Sequence, residues 1–229
     1  MITLSFDTSL TACSVAVVDT GAHSCLLASS YCEPGKGHAE ILLGKIDEVM
    51  SRAGIGFGNI EQQVVTIGPG SFTGVRVALS AARGFRLAHD IPICGLSTMQ
   101  AIAANRSKLN IQYSPCPVAI IIDARRNQTY GQVFDAALKP LCAPAVIDVD
   151  DIEGWLEPWE AGPLVLMGSG AGLAGANGRD RLVITEHAYP DAACFAQIIQ
   201  NITPCETPSD PLYLRMPDAK PQVIGQANI

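Results

Sequence analysis

Two stretches of the chain share one order of residue types. The first contains Asp7 and Asp19, and the second contains Asp123 and Asp135. In each, an apolar strand ends on an aspartate, a short polar turn follows, and a second strand closes on another aspartate twelve residues after the first. An internal duplication of this kind predicts two similar α/β halves that face a cleft.

A second repeated pattern follows each of these segments. The apolar run 64–67 ends in Gly68-Pro69-Gly70, and the apolar run 164–167 ends in Gly168-Ser169-Gly170. Two copies of one pattern predict an α/β fold of two duplicated lobes, each a mixed sheet flanked by helices.

The spacing of apolar residues predicts the order of elements. Three successive strands predict an antiparallel meander, and the later alternation of strands with helices predicts parallel strands beside it. The polar stretch 105–114 separates the two copies, so the predicted lobes are 1–104 and 105–229. The predicted strands are 2–7, 13–19, 25–31, 63–67, 91–95, 117–123, 129–135, 145–148, 163–167 and 182–186, and the predicted helices are 38–53, 73–89, a short one from Thr98, 150–157 and 191–201.

The composition excludes several classes of protein. A hydrophobic content of 48% with 16% charged residues is typical of a well-buried globular chain. The net charge of −7 disfavours direct binding of a polyanion, because phosphate contacts need clustered Lys and Arg. None of the eight cysteines forms a CxxC pair, and no apolar run approaches the roughly 18 residues of a membrane span. We therefore expect free thiols, a cytoplasmic location and no contact with a membrane.

The run Gly68-Pro69-Gly70-Ser71-Phe72-Thr73-Gly74-Val75-Arg76 is the most distinctive segment. A glycine-rich turn between a strand and a helix exposes backbone N–H groups, which suits an anion. The run is not a Walker loop, because no Lys-Ser/Thr pair follows Gly74. The alternative is a tight turn capped by Ser71 or Thr73. A GxGxxG match at 170–175 lacks a following helix and is interpreted as the copy of this turn.

Catalytic groups are hard to assemble from this sequence. The four histidines are far apart and form no HxxxH pair, so we expect no metal. Asp7 and Asp123 could hold a metal–phosphate across a cleft, or each could cap a hairpin turn. Capping is favoured, because no glycine follows either aspartate to let backbone approach a phosphate. We assign no catalytic residue; the degenerate phosphate-loop positions are Asp7, Thr8, Ser9, Gly68, Gly70, Ser71, Asp123, Gly168 and Gly170.

Two helices carry patterned faces. In 38–53, an apolar stripe is predicted to be core, and Ile41 lies off it. The stripe contains Leu42, Leu43, Ile46, Val49, Met50 and Ala53. In 73–89, a stripe of small residues is formed by Gly74, Val77, Ala81, Gly84 and Ala88. Small residues let another helix approach closely, although each interior glycine costs about 1 kcal/mol relative to alanine. The approaching helix could belong to the same domain or to another protein.

Five motifs together resemble the TsaD/TsaB (glycoprotease-like) family, which has the actin/sugar kinase/Hsp70, RNase H-like fold. They are Phe6-Asp7-Thr8-Ser9, His38-Ala39-Glu40-Ile41-Leu42-Leu43, the run from Gly68 to Arg76, Asp123-Ala124-Arg125 with Tyr130, and Pro211-Leu212-Tyr213-Leu214-Arg215. The resemblance implies that both lobes are actin-like and that the second is degenerate. The TsaD branch binds a metal through an HxxxH motif, and Thr98 and Ile102 stand at those positions here. The chain is therefore similar to the inactive branch.

The resemblance implies a non-catalytic partner subunit without a cofactor. It would bind TsaD as a heterodimer through the first lobe and, with TsaE in a larger complex, support formation of threonylcarbamoyladenosine in tRNA, which it contacts only indirectly. The same surface would form a homodimer of the isolated chain. The interface candidates are Ile41, Lys45, Glu48, Gly74, Val77, Ala81 and Gly84. An ATP-dependent phosphotransferase or ATPase of the actin-like fold is the alternative, and a metallopeptidase is a third hypothesis that the missing ligand pair disfavours.

Overall fold

Ten strands and five helices form the fold in a computed structural model that describes residues 1–21, 24–109, 116–174, 180–199 and 210–215. The strands are β1 (Ile2–Asp7), β2 (Cys13–Asp19), β3 (Cys25–Cys32), β4 (Gln62–Thr66), β5 (Ile93–Leu96), β6 (Val118–Arg125), β7 (Gln128–Phe134), β8 (Ala145–Asp148), β9 (Leu164–Met167) and β10 (Arg181–Ile184). The helices are α1 (His38–Ala53), α2 (Phe72–His89), α3 (Thr98–Ala104), α4 (Ile152–Leu156) and α5 (Ala196–Ile199).

The two sheets have the same topology. The first has the order β3-β2-β1-β4-β5, and the second, read from its other edge, has the order β8-β7-β6-β9-β10. In each, the three-strand meander is antiparallel and the remaining strands run parallel to the meander's first strand. The duplicated mixed sheets predicted from the sequence are therefore present.

Both faces of the first sheet are covered. The helices α1 and α2 pack on one face, where their apolar stripes meet Leu4, Phe6 and Val65. The other face, which includes Val18 and Val64, packs against α3 and against residues 192–199. This double burial explains why almost every residue of β1 and β4 is buried, including polar residues such as Thr3, Ser5 and Gln63.

Residues 192–199 come from the second half of the sequence but pack against the first sheet. Phe195 is fully buried there, and Ser14 Oγ of β2 donates a hydrogen bond to Pro190 O, 3.0 Å away. The division into 1–104 and 105–229 stays a prediction, and residues 110–115 of its boundary lie outside the described residues.

The helix α3 lies between the two sheets. Its Ala101 and Ala104 pack with the first sheet, whereas Met99 and Ile102 pack with the second. The far face of the second sheet is covered by α4, through Ile152 and other apolar residues. This short helix thus packs against both cores.

The second half contains shorter helices than the sequence predicts. The segment 150–157 has only five α-helical residues in α4, flanked by 3-10 turns at Val149–Asp151 and Glu157–Trp159. Gly154 weakens this helix and Pro158 limits its extension, because glycine is a poor helix former and proline lacks a backbone N–H. The predicted helix 191–201 contains α5 after a 3-10 turn, and its residues 200–201 lie outside the described residues.

Among the described residues, no helix combines the length and hydropathy that crossing a bilayer requires. None of the seven cysteines in the described ranges forms a disulfide. Burial raises the pKa of the Cys13 thiol to about 12, so Cys13 is protonated near neutral pH.

Candidate functional site

The first glycines of the two turns share an unusual backbone angle. Gly68 has a φ of 106° and Gly168 has a φ of 104°, a region that side chains rarely adopt. Both turns also pack tightly: a Cβ at Gly68 would lie 2.7 Å from Leu212 O, and a Cβ at Gly168 would overlap Ile121 O. The two turns therefore begin in the same way, although only the first contains a cis peptide bond, between Gly68 and Pro69.

The first glycine turn packs backbone to backbone against the turn between β1 and β2. A Cβ at Gly70 would overlap Ser9 O, and a Cβ at Gly74 would overlap Thr8 O. Ser71 N–H donates to Ser9 O at 2.7 Å, and the Thr8 hydroxyl donates to Gly74 O at 2.7 Å. The small size of these glycines therefore serves the contact between two segments of one lobe.

Asp7 is buried behind that contact. Its Oδ1 accepts hydrogen bonds from Ser9 N–H at 3.0 Å, from Ser9 Oγ at 2.6 Å, and from the Thr66 hydroxyl. Its side chain has no exposure, and Oδ2 has no hydrogen-bond partner in the described part of the chain. Burial raises the pKa of Asp7 to about 6, although the hydrogen bonds from Ser9 and Thr66 favour its charged form. Asp7 thus caps the β1–β2 turn from inside the lobe.

Asp123 caps the equivalent turn in the second lobe but stays partly exposed. Its Oδ1 accepts from Arg125 N–H at 2.8 Å, and its Oδ2 lies 3.7 Å from the Arg125 guanidinium. The three residues that follow in this turn, 125–127, all have positive φ. The two aspartates share the capping role, and they differ in their access to solvent.

A cleft of about 830 Å³ lies between the lobes. The first lobe contributes the starts of α1 and α2, and the second contributes Asp123, Arg125 and Ser169. Lys36, Arg125 and Arg215 bring positive charge to the cleft, while Glu40 and Asp123 bring negative charge. Asp7 does not line this cleft, so the two aspartates do not face each other across it.

The positions expected to hold histidines in a metal-binding relative are in the core. Thr98 and Ile102 are fully buried at the start and middle of α3. Thr98 N–H donates to Gly68 O at 2.8 Å, which links α3 to the first glycine turn. Within the described ranges, no group of three or more His, Cys, Asp or Glu side chains could hold a metal ion.

A second concavity of about 850 Å³ runs along the outer surface between α1 and α2, and we call it the helix groove. It exposes more apolar than polar surface. Leu43 is 58% exposed and Phe72 is 39% exposed, while a Cβ at Gly84 would meet nothing within 4 Å. The groove is lined by Ala39, Leu42, Leu43, Phe72, Thr73, Arg76, Val77, Ser80, Ala81, Gly84, Phe85, Ala88 and His89. A groove with small residues at its floor and exposed apolar side chains suits an approaching helix.

The structure divides the seven predicted interface residues into three groups. Val77, Ala81 and Gly84 line the helix groove. Ile41, Lys45 and Glu48 do not line it. Gly74 is buried against the Thr8 carbonyl and lines the interlobe cleft, outside the helix groove.

The flank of α1 away from the groove holds the predicted charged residues. Lys45 Nζ lies 2.9 Å from Glu48 Oε2, and Arg52 bonds both Glu48 and the Ser29 carbonyl of β3. Ile41 is partly buried against the core of this lobe. The prediction that Leu43 is core is wrong, because β3 covers one flank of α1 and leaves Leu43 on the other.

Sequence reasoning missed Leu43, Phe72 and Arg76 as surface residues of the groove. Leu87, which is 91% exposed on α2, was also overlooked. A signal was available for Leu87, since it lies outside the apolar stripe of α2 that packs on the sheet, which contains Val75, Ala78, Leu79 and Ala82.

A family profile described as "TsaD: tRNA N6-adenosine threonylcarbamoyltransferase" matches residues 33–167, which is more than half of the chain. The chain belongs to this family. TsaB of Haemophilus influenzae is 35% identical to it over 127 residues, which cover 56% of this chain and 51% of that protein. TsaB of Escherichia coli is 27% identical over 229 residues, which cover 93% of this chain and 94% of that protein. The chain thus spans about half the length of the first relative and nearly all of the second.

A solved structure agrees with these relatives. A Pseudomonas aeruginosa protein, described as similar to peptidase YEAZ, superposes with a TM-score of 0.77 and 25% identity, covering 93% of this chain and 99% of that one. The resemblance to TsaB (YeaZ) is confirmed, and the actin-like α/β fold with two mixed sheets is confirmed with it.

Proposed function

We propose that this protein is a partner subunit, without catalysis of its own, in the biosynthesis of threonylcarbamoyladenosine in tRNA. It binds a TsaD-type transferase through the helix groove and works with a TsaE-type protein in a larger complex in the cytoplasm. The similarity to TsaB of two bacteria supports the pathway. The net charge of −7 favours binding of the tRNA by another subunit, because phosphate contacts need clustered positive charge.

The observation that carries the proposal is the helix groove. Its floor combines Ala81 with Gly84, and its walls expose Leu43 and Phe72 to solvent. Exposed apolar surface of this kind is costly unless a partner covers it. Small residues at the floor let a partner helix approach to the short interaxial distance of well-packed helices, roughly 8–10 Å.

The absence of a catalytic role is supported by what occupies the corresponding positions. Thr98 and Ile102 are buried and pack in the core, so neither could serve as an exposed metal ligand. Asp7 is bonded within its own lobe and has no access to the cleft.

Substitution of the groove floor tests the proposal. Gly84→Arg and Ala81→Arg place a long charged side chain where the partner helix packs, so affinity for the TsaD-type subunit of the same organism should fall at least about 100-fold. Isothermal titration calorimetry measures this directly. Gly154→Arg is the matched control, because Gly154 is an exposed helical glycine in the other lobe whose Cβ would also meet nothing within 4 Å. Unchanged affinity in both groove variants would refute the placement of the partner.

Reconstitution tests the pathway independently of the interface. With a TsaD-type subunit, a TsaE-type subunit, ATP and tRNA, omission of this chain should abolish or strongly reduce formation of the modified nucleoside. The chain alone should produce none. Modification by the isolated, metal-free chain would overturn the non-catalytic role.

The interlobe cleft favours a second candidate, an ATP-dependent phosphotransferase or ATPase of the actin-like fold. The starts of α1 and α2 both reach this cleft, and helix N-termini attract phosphate. The buried position of Asp7 argues against it, since that carboxylate cannot contact a metal–phosphate in the cleft. Titration of the purified chain with ATP and Mg²⁺ decides between the two: millimolar or weaker binding without hydrolysis excludes the enzyme.

A further inference from the structure

The segment 210–215 joins the two lobes, and we call it the interlobe strap. On the first lobe, Leu212 N–H donates to Ile67 O at 2.7 Å, beside the first glycine turn. On the second lobe, Arg215 donates to Ala124 O at 3.2 Å and contacts Gln128 Oε1 at 3.4 Å. The Leu212 backbone and the Arg215 side chain thus hold the strap to both lobes, on either side of Tyr213.

The strap presents Tyr213 at one end of the helix groove. The Tyr213 ring stacks on Phe72 with ring centroids 4.9 Å apart. Arg76 Nε donates to Tyr213 Oη at 3.2 Å, and the Arg76 guanidinium carbon lies 3.6 Å from the centre of the Phe72 ring. Phe72 and Arg76 line the groove and Tyr213 packs on both of them, and we call these three residues the aromatic–arginine cluster.

Building on the proposed function, we infer that the aromatic–arginine cluster is the energetic centre of the docking surface and receives an acidic side chain from the partner helix. Tyrosine and arginine are enriched among the residues that contribute most binding energy at interfaces. Phe72 and Tyr213 remain 39% and 40% exposed, so their rings offer apolar area that the fold leaves uncovered.

Charge complementarity identifies the partner group. Arg76 uses Nε on Tyr213, and in the described part of the chain its two Nη atoms have no hydrogen-bond acceptor. Among unmodified protein side chains, the carboxylate is the group that an arginine binds through two parallel, charge-assisted hydrogen bonds. Because stacking on Phe72 already orders the guanidinium, less conformational entropy is lost when the carboxylate binds.

Arg83 provides an internal comparison. It lies on the same helix and also contacts the strap, with Nη2 3.7 Å from Asp210 Oδ1, but it does not line the groove. If general positive charge on α2 or contact with the strap attracted the partner, Arg83 and Arg76 would contribute alike. The cluster hypothesis requires that only Arg76 matters.

Four variants test the inference by calorimetric titration against the TsaD-type subunit: Arg76→Ala, Tyr213→Ala, Tyr213→Phe and the control Arg83→Ala. Arg76→Ala and Tyr213→Ala should each weaken binding at least about 30-fold, and Arg83→Ala should change it less than about 3-fold. Tyr213→Phe keeps the stacking ring and loses the acceptor for Arg76, so an intermediate loss of about 5-fold is expected. Arg76→Ala should also flatten the dependence of affinity on salt concentration, because it removes a charge pair.

The outcomes separate the inference from the proposed function. If Gly84→Arg abolishes binding while Arg76→Ala and Tyr213→Ala behave like Arg83→Ala, the groove binds the partner and the cluster inference is overturned. If Gly84→Arg and the cluster variants all bind normally, the placement of the partner in the helix groove and the cluster inference are both overturned. A circular dichroism melt of each variant checks folding. If Tyr213→Ala does not fold, the affinities of Arg76→Ala and Tyr213→Phe test the cluster inference instead, because both variants keep the strap backbone and the aromatic stack.

Discussion

The two lobes begin from one pattern and end with different surfaces. Their glycine turns have nearly identical φ values, and their sheets have the same strand order. In the first lobe the turn leads into α2, an 18-residue helix with an exposed groove, whereas in the second it leads into the four-residue 3-10 turn Ala171–Ala174. The two lobes share a framework, and within the described residues only the first turn leads into a long helix that borders a groove.

The aspartates show the same divergence at a smaller scale. Asp7 is fully buried and bonded to Ser9 and Thr66, while Asp123 lies at the wall of the cleft beside Arg125. One turn cap is part of a core, and its copy is part of a surface. Equivalent positions in the two lobes should therefore respond differently to substitution.

The largest expected effect is at Gly74. The sixth residue after the first glycine of the turn is Gly74 in one lobe and Ala174 in the other, and only Gly74 faces a carbonyl oxygen that a Cβ would overlap. Gly74→Ala should lower the free energy of unfolding by more than about 4 kcal/mol, because both clashing segments are backbone. Urea denaturation measures the loss. A change below about 1 kcal/mol would mean that the two lobes tolerate alanine alike.

The next effect is a pH dependence from Asp7. Because the pKa of Asp7 is about 6 in the folded protein and lower in the unfolded chain, the folded state binds more protons between these values. Stability therefore falls as pH rises from about 4 to about 6, by up to about 3 kcal/mol, and then levels off.

Denaturation midpoints of the wild type and Asp7→Asn, measured between pH 4 and pH 7, isolate this contribution. The asparagine keeps an oxygen for Ser9 and Thr66 and cannot ionise, so the difference in unfolding free energy between the two proteins should change across that range. Asp123→Asn provides the baseline from the other lobe. Parallel profiles for Asp7→Asn and the wild type would contradict a buried, proton-binding Asp7.

The third prediction compares the glycine turns directly. Gly68→Ala and Gly168→Ala should each cost about 2 kcal/mol or more, since both positions have positive φ and face a carbonyl oxygen. Gly168→Ala should cost more, because its neighbour Ile121 O belongs to the central strand β6, while the neighbour of Gly68 belongs to the interlobe strap. Thermal unfolding of both variants ranks their losses of stability. A reversed order would show that the strap shifts less readily than β6 to make room for a Cβ.

The smallest effect has the opposite sign. Gly84 lies in the interior of α2 with open space around it, so Gly84→Ala should stabilise the isolated chain by up to about 1 kcal/mol. The same substitution should weaken partner binding slightly, because it raises the floor of the helix groove. If Gly84→Ala is more stable and binds the partner with unchanged affinity, the partner helix does not reach Gly84.

Much of the fold was predictable because its signals are local. The duplicated strand–aspartate–turn pattern indicated two lobes, and alternation and helical periodicity located the strands and the long helices to within a few residues. The short helices of the second half were harder to predict, since Gly154 and Pro158 limit α4 in a way that apolar periodicity does not register.

The site was predicted less completely. Val77, Ala81 and Gly84 were correctly grouped as a small-residue stripe, and they do line one groove. Gly74 belongs to the same stripe by spacing, yet it packs inside the lobe, and Leu43 was assigned to the core although it is exposed. Helical spacing shows which residues share a face, but it does not show which neighbour covers that face.

By itself, the sequence determined the duplicated α/β architecture and the family, because strand, turn and helix preferences act over a few residues and recur in both halves. Only the tertiary structure decided that Asp7 is buried, that Leu43 faces solvent and that Tyr213 stands at the end of the helix groove. Tyr213 and Phe72 are 141 residues apart in the chain. Contacts across such a distance depend on how whole lobes pack, and no local pattern in the sequence specifies them.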